Sequence, residues 1–110
     1  MGGVANHYSY RVQWSPDNGY YLGTVTELPS ESWFDSDPIE TLKGIWRCAE
    51  ETVADLEADG EEVPTPLADR NYSGKFIVRI PPEVHRRLTM EAAEQNISLN
   101  RLVVSRLVQT

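Results

Sequence analysis

The chain has 110 residues, of which 40% are hydrophobic and 25% charged. That composition is ordinary for a globular protein and suits one domain or two small ones. No apolar run approaches the roughly 18 residues of a membrane span, and the opening M-G-G-V-A-N-H has neither the basic region nor the apolar core of a signal peptide. A cytoplasmic location is therefore expected, and the single cysteine, Cys48, agrees with a reducing compartment because it has no internal partner. The net charge of −7 is divided unevenly. Residues 1–70 hold four cations against fourteen acids, whereas residues 71–110 hold six against three, so an acidic module of net −10 precedes a basic one of net +3. Such asymmetry predicts different partners for the two halves and a boundary near residue 70.

In chain order, Tyr8, Tyr10, Val12 and Trp14 alternate with Ser9, Arg11 and Gln13, the pattern of a half-buried strand. Ser15-Pro16-Asp17-Asn18-Gly19 supplies a turn, and Tyr20 to Thr26 a second strand, so residues 8–26 read as a β-hairpin. Leu28-Pro29-Ser30 breaks it, and Ser32 to Asp35 suits a short third strand. Asp37-Pro38 is a helix start, with Asp as N-cap and Pro in the first turn. Ile39, Leu42, Trp46, Ala49, Val53 and Leu56 then recur at helical spacing as far as Asp59-Gly60. One long helix on a small antiparallel sheet makes an α+β layer. Glu61 to Arg70, with Pro64 and Pro66, reads as a connection in which any fourth strand near Val63–Leu67 is interrupted.

Beyond Arg70 the pattern changes. Lys75 to Pro81, K-F-I-V-R-I-P, is a short strand with Phe76, Val78 and Ile80 on one side and Lys75, Ile77 and Arg79 on the other. Pro81-Pro82-Glu83 opens a helix with Val84, Leu88 and Ala92 on its inner face, and Asn96 suits a left-handed end. Ser98 caps a last helix whose inner stripe is Leu99, Leu102, Val103 and Leu107. One strand and two short helices cannot bury their own apolar side, since chains below about 40 residues rarely fold alone. Pairing with an identical copy solves this: two strands form an antiparallel ribbon that four helices back. The outer face of that ribbon carries a doubled Lys75/Ile77/Arg79 row suited to base edges in a DNA major groove, with Ile77 against a thymine methyl. The free N–H groups where the last helix opens at Ser98 suit a phosphate.

Residues 73–107, S-G-K-F-I-V-R-I-P-P-E-V-H-R-R-L…S-L-N-R-L-V, resemble the ribbon-helix-helix fold of bacterial repressors and antitoxins. With the Y-x-Y-x-V-x-W hairpin, the E-L-P corner, the long helix and P-x-P before them, residues 8–108 resemble the HicB family of antitoxins. The resemblance implies a partial RNase-H-like domain over 1–68, a linker at 69–74 and a ribbon-helix-helix (β-α-α) dimerisation domain over 75–110. It implies that the first domain neutralises a HicA-like RNA-cleaving toxin. The second would pair through residues 75–107 as a homodimer, with room for a higher oligomer, and repress the operon by binding operator double-stranded DNA. The base-facing positions then fall on Lys75, Ile77 and Arg79, and the phosphate clamp on Ser98, Leu99 and Asn100. Toxin contacts fall on Tyr20, Leu22, Trp33, Phe34 and Asp35. The stretch Ser30–Asp37 departs from the Gly-rich corner of many relatives.

An enzyme is not expected. Glu27, Asp35 and Asp37 could be imagined as a metal cluster of the kind a two-metal nuclease uses, but Asp37 has a capping role and Glu27 sits beside the Leu-Pro corner. His7, near a loose terminus, and His85 have no second ligand at zinc spacing, and Cys48 suits a half-buried structural thiol. No catalytic residue, metal or cofactor is expected, and no membrane. Tyr20 and Leu22 lie on the opposite face of their strand from Tyr21 and Val25, so one face is left for a partner, where Tyr and Trp are enriched. Acidic surface with aromatics suits a basic partner. The rival readings are a stand-alone ribbon-helix-helix transcription regulator with a ligand-sensing or spacing N-terminal domain, and a metal-dependent nuclease.

Overall fold

Alternation of large side chains makes the first hairpin. β1 (Tyr10–Ser15) and β2 (Tyr20–Val25) pair antiparallel, with Tyr10 opposite Val25, Val12 opposite Gly23 and Trp14 opposite Tyr21. The turn uses the expected residues: Gly19 takes φ +69° and donates its N–H to the Ser15 carbonyl at 2.9 Å. β3 (Ser32–Asp35) pairs antiparallel with β2, giving the order β1-β2-β3. The computed structural model describes residues 3–109, so the expected domain limits at residues 1 and 110 lie outside the described residues. The chain divides into two compact units, residues 1–72 and 73–110.

α1 (Pro38–Ala58) begins as its sequence dictates, because the Asp37 carboxylate accepts from the Ile39 N–H at 2.8 Å and the Glu40 N–H at 3.1 Å. It ends in a Schellman motif. Gly60 at φ +68° donates to the Glu57 carbonyl at 3.2 Å, and the Glu61 N–H reaches the Leu56 carbonyl at 2.9 Å. The buried face is Thr41, Gly44, Ile45, Ala49 and Val53. This corrects the expected stripe: Ala49 and Val53 belong to it, Leu42, Trp46 and Leu56 are half-buried on its margin, and Ile39 is 60% exposed. Weighing hydrophobicity alone put the largest apolar side chains inward. The helix instead presses Gly44, Ala49 and the β-branched Thr41, Ile45 and Val53 onto the sheet.

The reason lies in the strand beneath. A Cβ on Gly23 would sit 3.0 Å from the Ile45 Cγ2 and 3.0 Å from the Thr41 Cγ2, so β2 and α1 meet where the strand has no side chain. On β3 the Trp33 indole occupies the place a Cβ on Gly44 would need. Ala5, Tyr8, Val25, Leu28, Ile45, Ala49 and Val53 form the buried cluster, with Tyr10, Leu42, Cys48 and Val63 packed against it. The Cys48 thiol is half-buried, and burial, with Glu31 and Glu51 nearby, pushes its pKa up. Gly44→Ala should therefore lower stability by about 1–2 kcal/mol, because overpacking against Trp33 outweighs the roughly 1 kcal/mol helix-propensity gain. Chemical denaturation followed by tryptophan emission reads both the midpoint and the displaced indole.

The second unit contains α2 (Pro82–Glu94) and α3 (Leu99–Leu107). Asn96, at φ +56°, closes α2, and the Ile97 N–H bonds back to the Ala92 carbonyl at 3.0 Å. The Ser98 hydroxyl caps α3 by accepting from the Arg101 N–H at 3.0 Å, and the Arg106 guanidinium pairs with Glu91. Among the described residues of this unit only Ala92 and Leu102 are buried, while Val84, Leu88, Leu99 and Val103 are half-buried. Leu107, expected on the inner stripe, is 64% exposed, because among the described residues of its own unit nothing covers the last turn of the helix. Residues 75–80 belong to neither helix nor sheet, so the expected ribbon strand has no ladder within this chain. A ladder requires a second row of N–H and C=O groups, and among the described residues no segment of the unit supplies one.

Candidate interaction surfaces

α1 covers one face of the sheet, and among the described residues of the first unit no element covers the other. On that open face Leu22 lies between Gln13 of β1 and Phe34 of β3, and Thr24 lies between Arg11 and Ser32. The Tyr20 and Phe34 rings are 4.9 Å apart and tilted by 42°. Phe34 is 53% exposed, and Tyr20 and Leu22 are half-buried. The face is thus an aromatic and aliphatic patch with Arg11 and Gln13 at its border.

Of the five residues expected to meet a toxin, the fold brings Tyr20, Leu22 and Phe34 together on this face. Trp33 and Asp35 point to the other side. Trp33 packs over Gly44, and the Asp35 carboxylate accepts from the Asp37 N–H at 3.0 Å, ordering the approach to α1. Arg11 and Gln13 also belong to the open face, beyond the expected contacts. The alternation of β1 and its register with β2 identify them.

In the second unit Lys75, Ile77 and Arg79 are exposed, Ile77 by 92%. Phe76, Val78 and Ile80, expected as core, are 74%, 63% and 40% exposed. Gly74 at φ +86° and a bond from the Lys75 N–H to the Ser73 hydroxyl at 3.1 Å set a bend at the start of this segment. At the opening of α3 the Ser98 hydroxyl is occupied as a cap. The N–H groups of Leu99 and Asn100 belong to the helix's first turn, which has no intrahelical acceptors.

The carboxylates take structural roles. Glu27, 8% exposed, accepts from the Ser9 N–H at 2.8 Å and from the Leu67 N–H at 3.0 Å, so one buried side chain fastens the start of β1, the end of β2 and the segment leaving the unit. Burial opposes its charge, yet these hydrogen bonds with the Ser9 hydroxyl prevail and hold its pKa below the usual carboxylate value. The same segment is held by the Tyr8 hydroxyl, which donates to the Pro64 carbonyl at 2.7 Å. His7, expected on a loose terminus, instead lies in a short 3-10 turn with its Nδ1 2.6 Å from an Asp69 carboxylate oxygen. Burial, with Glu50, Glu27 and Tyr8 nearby, pushes the pKa of the Tyr10 phenol up to about 12. Among the described residues no three of His, Cys, Asp and Glu gather as a metal ion would require.

A three-stranded antiparallel sheet under one helix, followed by a basic two-helix unit, makes an α+β protein whose candidate contacts lie on exposed surfaces. The sequence model of the HicB family matches residues 57–107, from the last turn of α1 to the end of α3. That match supports a HicB family protein, and with it a toxin–antitoxin-related role with a toxin as the kind of partner. No curated protein and no solved structure matches the chain. Among the described residues no helix is long and apolar enough to cross a membrane.

Because the depressed carboxylate stabilises the fold only while ionised, stability should be full above about pH 4.5, the ordinary value, and fall as pH drops below it towards the folded pKa. Glu27→Gln should flatten that acid limb, and Glu27→Ala should cost about 2 kcal/mol at neutral pH by leaving two backbone donors without an acceptor. Urea midpoints from pH 7 to pH 3 for the parent and both variants check it.

Proposed function

We propose that this protein is the antitoxin of a type II toxin–antitoxin system, not itself an enzyme. Its acidic first unit masks a basic HicA-like RNA-cleaving toxin through the open face of the sheet. Its second unit pairs with a second copy, with residues 75–79 of the two chains forming an antiparallel ribbon that represses the operon. The observation that carries the reading is the alternation at 75–80, where Phe76, Val78 and Ile80 stand exposed beside Lys75, Ile77 and Arg79 inside the family match. A strand with one apolar side and one cationic side is stable in water only when the apolar side is covered. A second copy covers it and doubles the cationic row at once. Charge supports the division of labour, since the cations needed against a polyanion lie after residue 70 and the acid excess lies before it.

On this reading the resemblance assigns base contacts to Lys75, Ile77 and Arg79, and phosphate contacts to Ser98, Leu99 and Asn100. Lys75→Ala/Arg79→Ala should lose operator affinity by about 1–3 kcal/mol for each base contact removed and show a shallower salt dependence. A gel-shift titration at three salt concentrations decides this, and unchanged affinity and slope would reject the ribbon. For the toxin, Phe34→Glu should weaken capture by about 2 kcal/mol or more while leaving the melting temperature near that of the parent, because the ring is half in solvent. Calorimetric titration with purified toxin measures the first quantity and a thermal melt the second.

A further inference from the structure

The strands β1, β2 and β3 hold two charged residues between them, Arg11 and Asp35. These lie on opposite sides of the sheet. Asp35 stands opposite Tyr21 on the α1 side, where its carboxylate accepts from the Asp37 N–H and its carbonyl from the Thr41 hydroxyl at 3.4 Å. Arg11 stands opposite Thr24, which pairs in turn with Ser32, so it belongs to the open face. The carboxylates that border the sheet are turned away as well. Glu27 is buried on the Ser9 and Leu67 N–H groups, and Glu31 accepts from the Thr52 hydroxyl of α1. Nine of the fourteen acids in residues 1–70 belong to α1 or the connection after it, from Glu40 to Asp69. The strands of an acidic unit thus offer an open face whose one charge is a cation.

Arg11 is exposed, and among the described residues no carboxylate lies within ion-pair distance of its guanidinium. It is the diagonal neighbour of Leu22 across the β1–β2 pair, about 7–8 Å away and within reach of a long side chain. It therefore borders the patch made by Tyr20, Leu22 and Phe34. A partner lying on that patch removes water from the guanidinium, and a desolvated cation without an acceptor is costly. A uniformly basic surface makes this worse by setting cation against cation. A carboxylate answers it, because its two oxygens match the planar guanidinium fork with charge-assisted bonds. A nucleic-acid strand is the poorer fit. Following a phosphate backbone takes several cations, and this face supplies one, within a unit of net charge −10.

We infer that the open face takes an apolar segment of the toxin that carries a carboxylate, and that Arg11 binds that carboxylate. This rests on the reading of the face as the toxin site and adds the chemistry of the segment that binds there. Attraction and docking are then divided between two sides of the unit. The acids of α1 act over distance and draw in a partner of net positive charge. Arg11, at the rim of the patch, selects the part of that partner's surface that comes to rest on the sheet, and rejects wholly basic stretches by like charge.

The test is calorimetric titration of the full-length protein with purified toxin, with association and dissociation rates from stopped-flow mixing. Arg11→Glu should weaken binding about a hundredfold, chiefly through faster dissociation. Arg11→Lys, which keeps the charge but loses the fork, should weaken it less. Net charge alone predicts the reverse, since Arg11→Glu makes an acidic unit more acidic towards a basic partner; tighter or unchanged binding overturns the inference. Glu51→Gln/Asp55→Asn, at exposed positions of α1, should slow association and flatten its salt dependence while dissociation stays near that of the parent. Changing each Asp or Glu of the toxin to Arg in turn should yield one toxin that binds the Arg11→Glu protein better than unaltered toxin does; a full set without one also overturns it. Phe34→Glu separates the two readings. If it weakens binding and Arg11→Glu does not, the face stands as the toxin site and the carboxylate falls; if neither weakens it, both fall. Binding of a single-stranded RNA oligonucleotide that is lost in both variants gives the face to nucleic acid and overturns the inference. Melting temperatures near that of the parent, expected at exposed positions, keep the variants comparable.

Discussion

The first unit depends on how near α1 can come to the middle strand. Ile45 and Thr41, both fully buried, rest directly on Gly23. That contact draws the face of the helix with Ala49 and Gly44 onto the sheet and turns Leu42, Trp46 and Leu56 to the margins. Trp33 closes one margin by filling the space beside Gly44. Trp46 lies on the other margin, stacked on Tyr10. A sheet of only three strands is narrow, and the helix seated on its centre leaves one side with an apolar flank in solvent.

The second unit shows the opposite condition. Its helices are locally well specified, by the Ser98 cap and the Asn96 reversal, yet only Ala92 and Leu102 are buried. Exposed Phe76, Ile77, Val78, Met90, Val104, Leu107 and Val108 exceed what so small a unit retains in isolation. Local signals form helices, whereas a core requires area. The physical argument for a partner is therefore strongest where the secondary structure was easiest to read.

Much of the fold was legible because short-range chemistry specifies it. The turn at Asn18-Gly19, the Asp37-Pro38 start, the Asp59-Gly60 end and the Asn96 and Ser98 boundaries all follow from one or two residues with fixed backbone demands. The helix face was not so legible, because Ile39 and Ile45 are equally apolar and only the absence of a side chain at Gly23 decides between them. Mid-helix Gly44 was the available signal, since glycine costs helix stability and persists where something comes close. The same limit explains residues 61–70. Their prolines read as a loose connection, but Tyr8 and Glu27 hold Pro64 and Leu67 to the first unit by side-chain bonds spanning 56 and 40 residues. No local pattern announces such partners. The open face was half legible: the alternation of β2 separated Tyr20 and Leu22 from Tyr21, but deciding which of Trp33 and Phe34 faces α1 required the β2–β3 register.

Glu27 shows why an acidic unit can still bury an acid. Most of its carboxylates lie on exposed positions, where water solvates them and their mutual repulsion is the only cost. Glu27 lies where β2 ends and a later segment arrives, and both the Ser9 and Leu67 N–H groups there need an acceptor. A neutral side chain would satisfy one of them well; a carboxylate satisfies both with charge-assisted bonds, which offsets its own desolvation. The charge that would be unfavourable in an apolar core is thus the element that closes the unit, and it does so at the point from which the chain proceeds to the basic half.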